Sequence, residues 1–347
     1  MNRVLRSADD LVSAGLVSGE EAEVLGGVLA RYAVSVTPDM AELIDPDDPD
    51  DPIARQFVPC AAEGTTVPEE RADPIGDGAH TPVTGIVHRY PDRVLLKPLH
   101  VCPVYCRFCF RREMVGPDGL GSLTDAELDS ALAYIAQDPR IWEVVLTGGD
   151  PFALSPRRLG AIAGRLAAIA HVRVMRIHTR VPVVKPDLVS DALVRALGHF
   201  GRAVFVALHA NHPREFTPAA RAACARLVEA GIPMVSQSVL LRGVNDDAAT
   251  LEALMRTLVE NRIKPYYLHH GDLAPGTGHL RTGLREGQSL MRDLRGRLSG
   301  LAQPTFVLDI PGGHGKVPVG PGYLRDTPDG VQVTDPNGRT HAYPPKA

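Results

Sequence analysis

Surplus positive charge and long apolar runs are missing from this 347-residue sequence, and cysteine is scarce. With 37 Lys and Arg against 41 Asp and Glu, the formal net charge is -4. That balance offers no basic field for nucleic acid and no polybasic patch for an anionic membrane. No uninterrupted apolar stretch approaches the ~18 residues that a spanning helix needs, and the first residues, "MNRVLRSADDLVSAG", lack the apolar centre of a secretion signal. The expectation is a cytoplasmic protein with neither nucleic acid nor membrane as partner. In that reducing compartment cysteines serve metal or redox chemistry rather than disulfides. Of the five present, Cys60 and Cys224 stand alone and read as incidental thiols. The other three, Cys102, Cys106 and Cys109, fall within eight residues, in "HVCPVYCRFCFRRE".

What is present is organised in a simple order. Residues 1–44 carry helical patterning. A stretch rich in Asp and Pro, "DPDDPDDPIARQFVP", follows, and residues 45–92 read as a linker and lead-in, because such residues in a turn-rich segment more often form a solvated connection than a cation site. From residue 93 short β-branched runs alternate with longer amphipathic segments. The strand candidates are 93–99, 143–147, 173–178, 203–208, 233–240, 265–269 and 305–309. The segments between them are helical, several opened by Ser, Thr or Asp. Repeated strand-helix units imply a parallel sheet, either a (β/α) barrel, whole or partial, or a doubly wound sheet. Residues 93–325 form this unit and 326–347 a tail. In a barrel the chemistry sits at the C-terminal ends of the strands. Polar residues fall there: Cys102, Asp150, His178, His209, Gln237, Asp272 and Asp309.

The spacing CxxxCxxC lets one loop wrap three thiolates around one centre. A structural zinc site would want a fourth protein ligand, whereas an iron-sulfur cluster held by three thiolates keeps one iron open for a substrate or cofactor. Placed directly after the first parallel strand, the triplet resembles that of the radical S-adenosylmethionine (SAM) superfamily. The resemblance implies a partial (β/α) barrel with a helical N-terminal extension, a 4Fe-4S cluster on Cys102, Cys106 and Cys109, and SAM at the open iron. "LTGGDP", after the second strand, resembles the superfamily's SAM-binding glycine motif. It implies SAM contacts for Gly148, Gly149 and Asp150, with His178 of "RIHTR" nearby.

Near the other end, "DIPGGHGKVPVGPGYL" sets Lys316 among glycines able to expose an amine for imine chemistry. That stretch alone better describes a surface lysine in a flexible loop. Together with "HRYPDRVLL", "CRFCFRRE", "QSVLLRGVND" and "PYYLHHGDL", however, it closely resembles the lysine 2,3-aminomutase family, over residues ~45 to ~325. The resemblance implies an isomerase that moves the α-amino group of L-lysine to the β-carbon, using SAM, the cluster and pyridoxal 5'-phosphate (PLP). The family's PLP lysine falls on Lys316 and its phosphate arginine on Arg93, with Tyr90 and Gln237 near the cofactor. Arg111 matches the residue that holds the substrate carboxylate, and Asp272 and Asp309 the pair that hold its ε-ammonium. An electron donor such as flavodoxin or ferredoxin and a homo-oligomeric assembly are also implied. Two departures stand out: Asp247 replaces a cysteine of the zinc site found in longer members, and His314 interrupts the glycine loop. Alternatives are an enzyme making β-lysine for elongation factor P, or an aminomutase for another amino acid. A glutamate-type enzyme would have no use for two acids facing its side chain.

Overall fold

The computed structural model describes residues 3–115, 121–328 and 330–344. Nine strands form one sheet in strict chain order. Strand β1 (Ile86–Tyr90) runs antiparallel to β2 (Arg93–Leu99). Next come β3 (Glu143–Gly148), β4 (Val174–Thr179), β5 (Ala203–Leu208), β6 (Met234–Val239), β7 (Ile263–His269) and β8 (Thr305–Ile310), and every pairing from β2 to β8 is parallel. Strand β9 (Gly315–Pro318) closes the series antiparallel to β8. A doubly wound sheet would reverse its order at a switch point. This one never reverses, so it is the partial barrel.

The crossover helices are set by local chemistry. Thr124, Ser155, Ser190, Thr217 and Asp247 each accept a backbone N–H at the start of Asp125–Gln137, Pro156–Ala167, Asp191–Gly198, Pro218–Glu229 and Ala248–Glu260. Asp247 therefore serves as a helix cap. The two ends of the open sheet share no ladder. They meet instead through Tyr90 of β1, whose hydroxyl accepts the Lys316 backbone N–H of β9 at 2.7 Å.

Two segment readings need correction. Residues 45–92 are no free connection: Ile53 and Phe57 are fully buried in the same hydrophobic core as the barrel. Asp51, within the acidic run, is buried too, accepting from the Ile53 and Ala54 amides and pairing with Arg214. The tail is a small antiparallel sheet of β10 (Leu324–Thr327), β11 (Gly330–Thr334) and β12 (Thr340–Tyr343), so a boundary at 325 cuts a strand. Residues 345–347, placed in the tail, lie outside the described residues. Among the described residues no helix is long and apolar enough to cross a membrane.

Candidate active site

The loop after β2 carries the three cysteines, and all three line one cavity together with Asp150 and Arg180. Among the described residues no three His, Cys, Asp or Glu side chains gather closely enough for a single metal ion. Three thiols around a shared hollow suit a larger, polynuclear group. Burial pushes all three thiols up, Cys106 to about 11, and the Asp150 charge raises Cys102 further. They would ionise on binding iron, since a coordinating thiol is deprotonated outright. Arg180 donates to the Cys106 sulfur at 3.6 Å and eases its ionisation. Cys60 and Cys224 lie elsewhere, the second buried among apolar residues.

The glycine motif ends β3 against this loop. A Cβ on Gly149 would lie 2.4 Å from the Val101 carbonyl oxygen, so the close approach that requires glycine is to the cluster loop itself. Asp150 is committed as well. One carboxylate oxygen accepts from Thr179 Oγ1 (2.7 Å) and the Phe152 amide, the other from the Arg180 (2.7 Å) and Val181 amides. Its carboxylate thereby pins the end of β3 to the end of β4. His178 on β4 meets Gln237 on β6 at 3.4 Å, and its ring lies 5.5 Å from that of His209. Burial holds both imidazoles below their ordinary value, His209 to about 3.

Lys316 projects from β9 to the polar residues ending β7 and β8. Its ammonium pairs with Asp309 and lies 3.2 Å from His269 Nδ1. Burial would raise the Asp309 carboxyl, but the His269 hydrogen bond and the Lys316 charge outweigh it and hold it well below the usual range. Asp272 is the opposite case. Burial and the Asp309 charge push it up to about 7, and its carboxylate has no hydrogen-bond partner among the described residues. Arg93 stacks on the Tyr90 ring at 3.8 Å, so Tyr90, Arg93 and Lys316 are brought together. The buried His209 Nε2 and His269 Nε2, both neighbours of Lys316, also lack hydrogen-bond partners among the described residues. Orphaned polar atoms around a lysine amine fit a polar cofactor in the barrel. His314 is exposed.

A family model described as the Radical SAM superfamily matches residues 96–255, and one described as Lysine-2,3-aminomutase matches residues 291–344. L-lysine 2,3-aminomutase of Clostridium subterminale is 40% identical over 305 residues, 88% of this chain and 73% of that protein. The chain belongs to the lysine 2,3-aminomutase family of radical SAM enzymes. It is accordingly an isomerase of a family that uses a 4Fe-4S cluster and SAM. The Bacillus subtilis (strain 168) L-lysine 2,3-aminomutase is 37% identical, covering 99% of this chain and 73% of the relative. Glutamate 2,3-aminomutase of Clostridioides difficile (strain 630) is 34% identical, covering 93% and 76%.

In this aminomutase-family chain several site-building residues escape a reading by motif. Arg111 donates to Asp77 through Nε and one terminal nitrogen (2.9 Å), and Asp77 also takes Arg89. Arg107 and Arg112, both buried, converge on the buried Glu63. Arg180 reaches Gln56 at 2.6 Å and Glu215 at 2.7 Å. The available signal was the density of arginine in "CRFCFRRE": buried guanidinium groups need carboxylates. Nothing local says which carboxylates supply them.

Proposed function

We propose that the protein interconverts L-lysine and β-lysine. The observation that carries this reading is the unpartnered Asp272 carboxylate beside Asp309, with Arg111 among its electrostatic neighbours. Two carboxylates at one end and a guanidinium at the other suit an amino acid with a distal ammonium. A glutamate side chain would be repelled at the acidic end. The Lys316 ammonium fills part of that acidic demand. Once its amine is used to hold PLP, both carboxylates face the substrate.

In this reading Cys102, Cys106 and Cys109 hold the cluster, and Gly148, Gly149, Asp150 and His178 border SAM. Tyr90, Arg93, Gln237 and Lys316 hold PLP, with Arg93 on its phosphate. When bound, the cluster and SAM supply a hydrogen-abstracting radical, and PLP supplies the imine chemistry that lets nitrogen move. The chain's own residues fix both ends of the substrate, so that the β-hydrogen meets the radical and water stays out. A donor such as flavodoxin or ferredoxin in the cytoplasm would reduce the cluster.

The test is an anaerobic assay of the reconstituted protein with L-lysine, L-ornithine and L-glutamate, together with borohydride trapping of PLP. Conversion of L-lysine to β-lysine and an adduct on Lys316 are expected. Preference for glutamate, or an adduct on another lysine such as Lys264, would refute the reading.

A further inference from the structure

Lys97 has no task in the scheme above. It sits in β2, and the neighbouring strand presses on it, since a Cβ on Gly148 would lie 2.9 Å from Lys97 Cβ. Lys97 is 5% exposed, and although its backbone N–H donates to the Gly85 carbonyl, its ammonium has no hydrogen bond or ion pair among the described residues. A buried ammonium without a partner is costly. Its electrostatic neighbours are Arg111, Asp77 and Asp73.

Pairing shows what is missing. Asp77 is taken by Arg89 and Arg111, and Asp73 accepts the Asp77 and Gly78 amides at 2.8 and 2.7 Å. Asp77 is thus shared by two guanidinium groups and Asp73 is held by its own turn, so neither carboxylate pairs with the Lys97 ammonium. His100, 4% exposed, adds an Nδ1 with no partner and feels the charges of Lys97 and Arg111. Burial and the Arg111 charge hold Lys97 below its ordinary pKa, a pressure that an anion would relieve. Arg111 acts electrostatically on both Lys97 and Asp272, so one guanidinium lies within reach of the buried lysine and of the acidic group.

We propose that Lys97 and Arg111 together form a binding site for the α-carboxylate of an amino acid. The proposal rests on the aminomutase reading and adds a residue to it. Both the amino-acid substrate and the methionyl end of SAM carry that group. The compact ammonium on a flexible stem can follow such a carboxylate, while Arg111 stays forked on Asp77.

The experiment compares wild type with Lys97→Met and Lys97→Arg, using anaerobically reconstituted protein. KM for L-lysine and for SAM is measured, with SAM affinity also taken by equilibrium dialysis. The Met variant should raise one of these at least tenfold with normal iron content, and the Arg variant should recover most of the loss. A rise confined to L-lysine assigns the substrate carboxylate; inhibition by L-lysinamide, which lacks that carboxylate, should then be unchanged. A rise confined to SAM, seen also in dialysis, assigns the methionyl carboxylate. Unchanged values for both ligands, or equal rises in both that Lys97→Arg does not relieve, would overturn the proposal. If the Met protein does not fold, Lys97→Gln is read by the same criteria. Turnover of L-lysine by wild type tests the aminomutase reading separately, and the ratio of variant to wild type tests Lys97.

Discussion

Asp272 should make lysine binding depend on pH between 6 and 8. Its carboxyl is pushed up to about 7 by burial and by the Asp309 charge, against the weaker pull of Lys316, Arg111 and Arg281. At pH 6 about one-tenth of such a group is ionised and at pH 8 about nine-tenths. Affinity for an ammonium that requires the carboxylate should therefore rise about tenfold across that range, or about 1.4 kcal/mol. The assay is kcat/KM for L-lysine at fixed saturating SAM, in wild type and Asp272→Asn. The variant should be flat where wild type rises, which separates Asp272 from titration of the substrate's own amine. Stability should move the other way. A carboxyl raised in the folded state contributes most while protonated, and that contribution is lost as pH rises through about 7. Relative to Asp272→Asn, wild type should therefore melt comparatively higher at pH 5 than at pH 8. An equally sloped profile in both proteins would show that Asp272 does not face the substrate cation.

Three further outcomes follow from the cluster loop and its supports. Cys102→Ala, Cys106→Ala or Cys109→Ala should each lose the cluster's iron, about four atoms per chain, while Cys60→Ala and Cys224→Ala keep it, measured by iron assay after anaerobic reconstitution. Gly149→Ala drives a methyl into the Val101 carbonyl; overpacking of this kind costs about 1–3 kcal/mol, so a lower melting temperature and reduced cluster occupancy are expected. Glu63→Gln leaves Arg107 and Arg112 buried beside a neutral amide, and denaturant titration should show a loss of about 3–5 kcal/mol.

The barrel was legible because its signals are local. Each strand from β2 to β8 is a short, mainly apolar run next to an amphipathic helix, most of these helices open on a side-chain cap, and the sequence boundaries agree with the structure within two residues. Strand β9 was not legible: "GKVP" is short, and pairing with β8 creates it rather than propensity. The candidate site was legible as residue types. The fold brings Lys316 to Tyr90 and Asp309 and gathers the three thiols around one cavity. What each group touches was less so. Asp150, expected to contact SAM, has both oxygens occupied by its own fold.

The larger omission was the lead-in segment, whose acids read as solvated because acids usually are. Here the cluster loop reverses that preference. A loop that must keep three thiols away from water also buries its arginines, and each buried guanidinium has to find a carboxylate or carbonyl. Arg107 and Arg112 find Glu63 across 44 and 49 residues of sequence, and Arg111 finds Asp77 across 34. The N-terminal extension completes the support. The Arg107 guanidinium donates to the Ala33 carbonyl, the Tyr105 amide to the Ser35 carbonyl, and the Ser35 hydroxyl to the Pro103 carbonyl. These contacts converge on the backbone between the first and last cysteines. Residues that look peripheral in sequence therefore set the geometry of the thiols, and a barrel cut at residue 93 would keep its parallel strands β2 to β8 while losing β1 and the scaffold of its cluster loop.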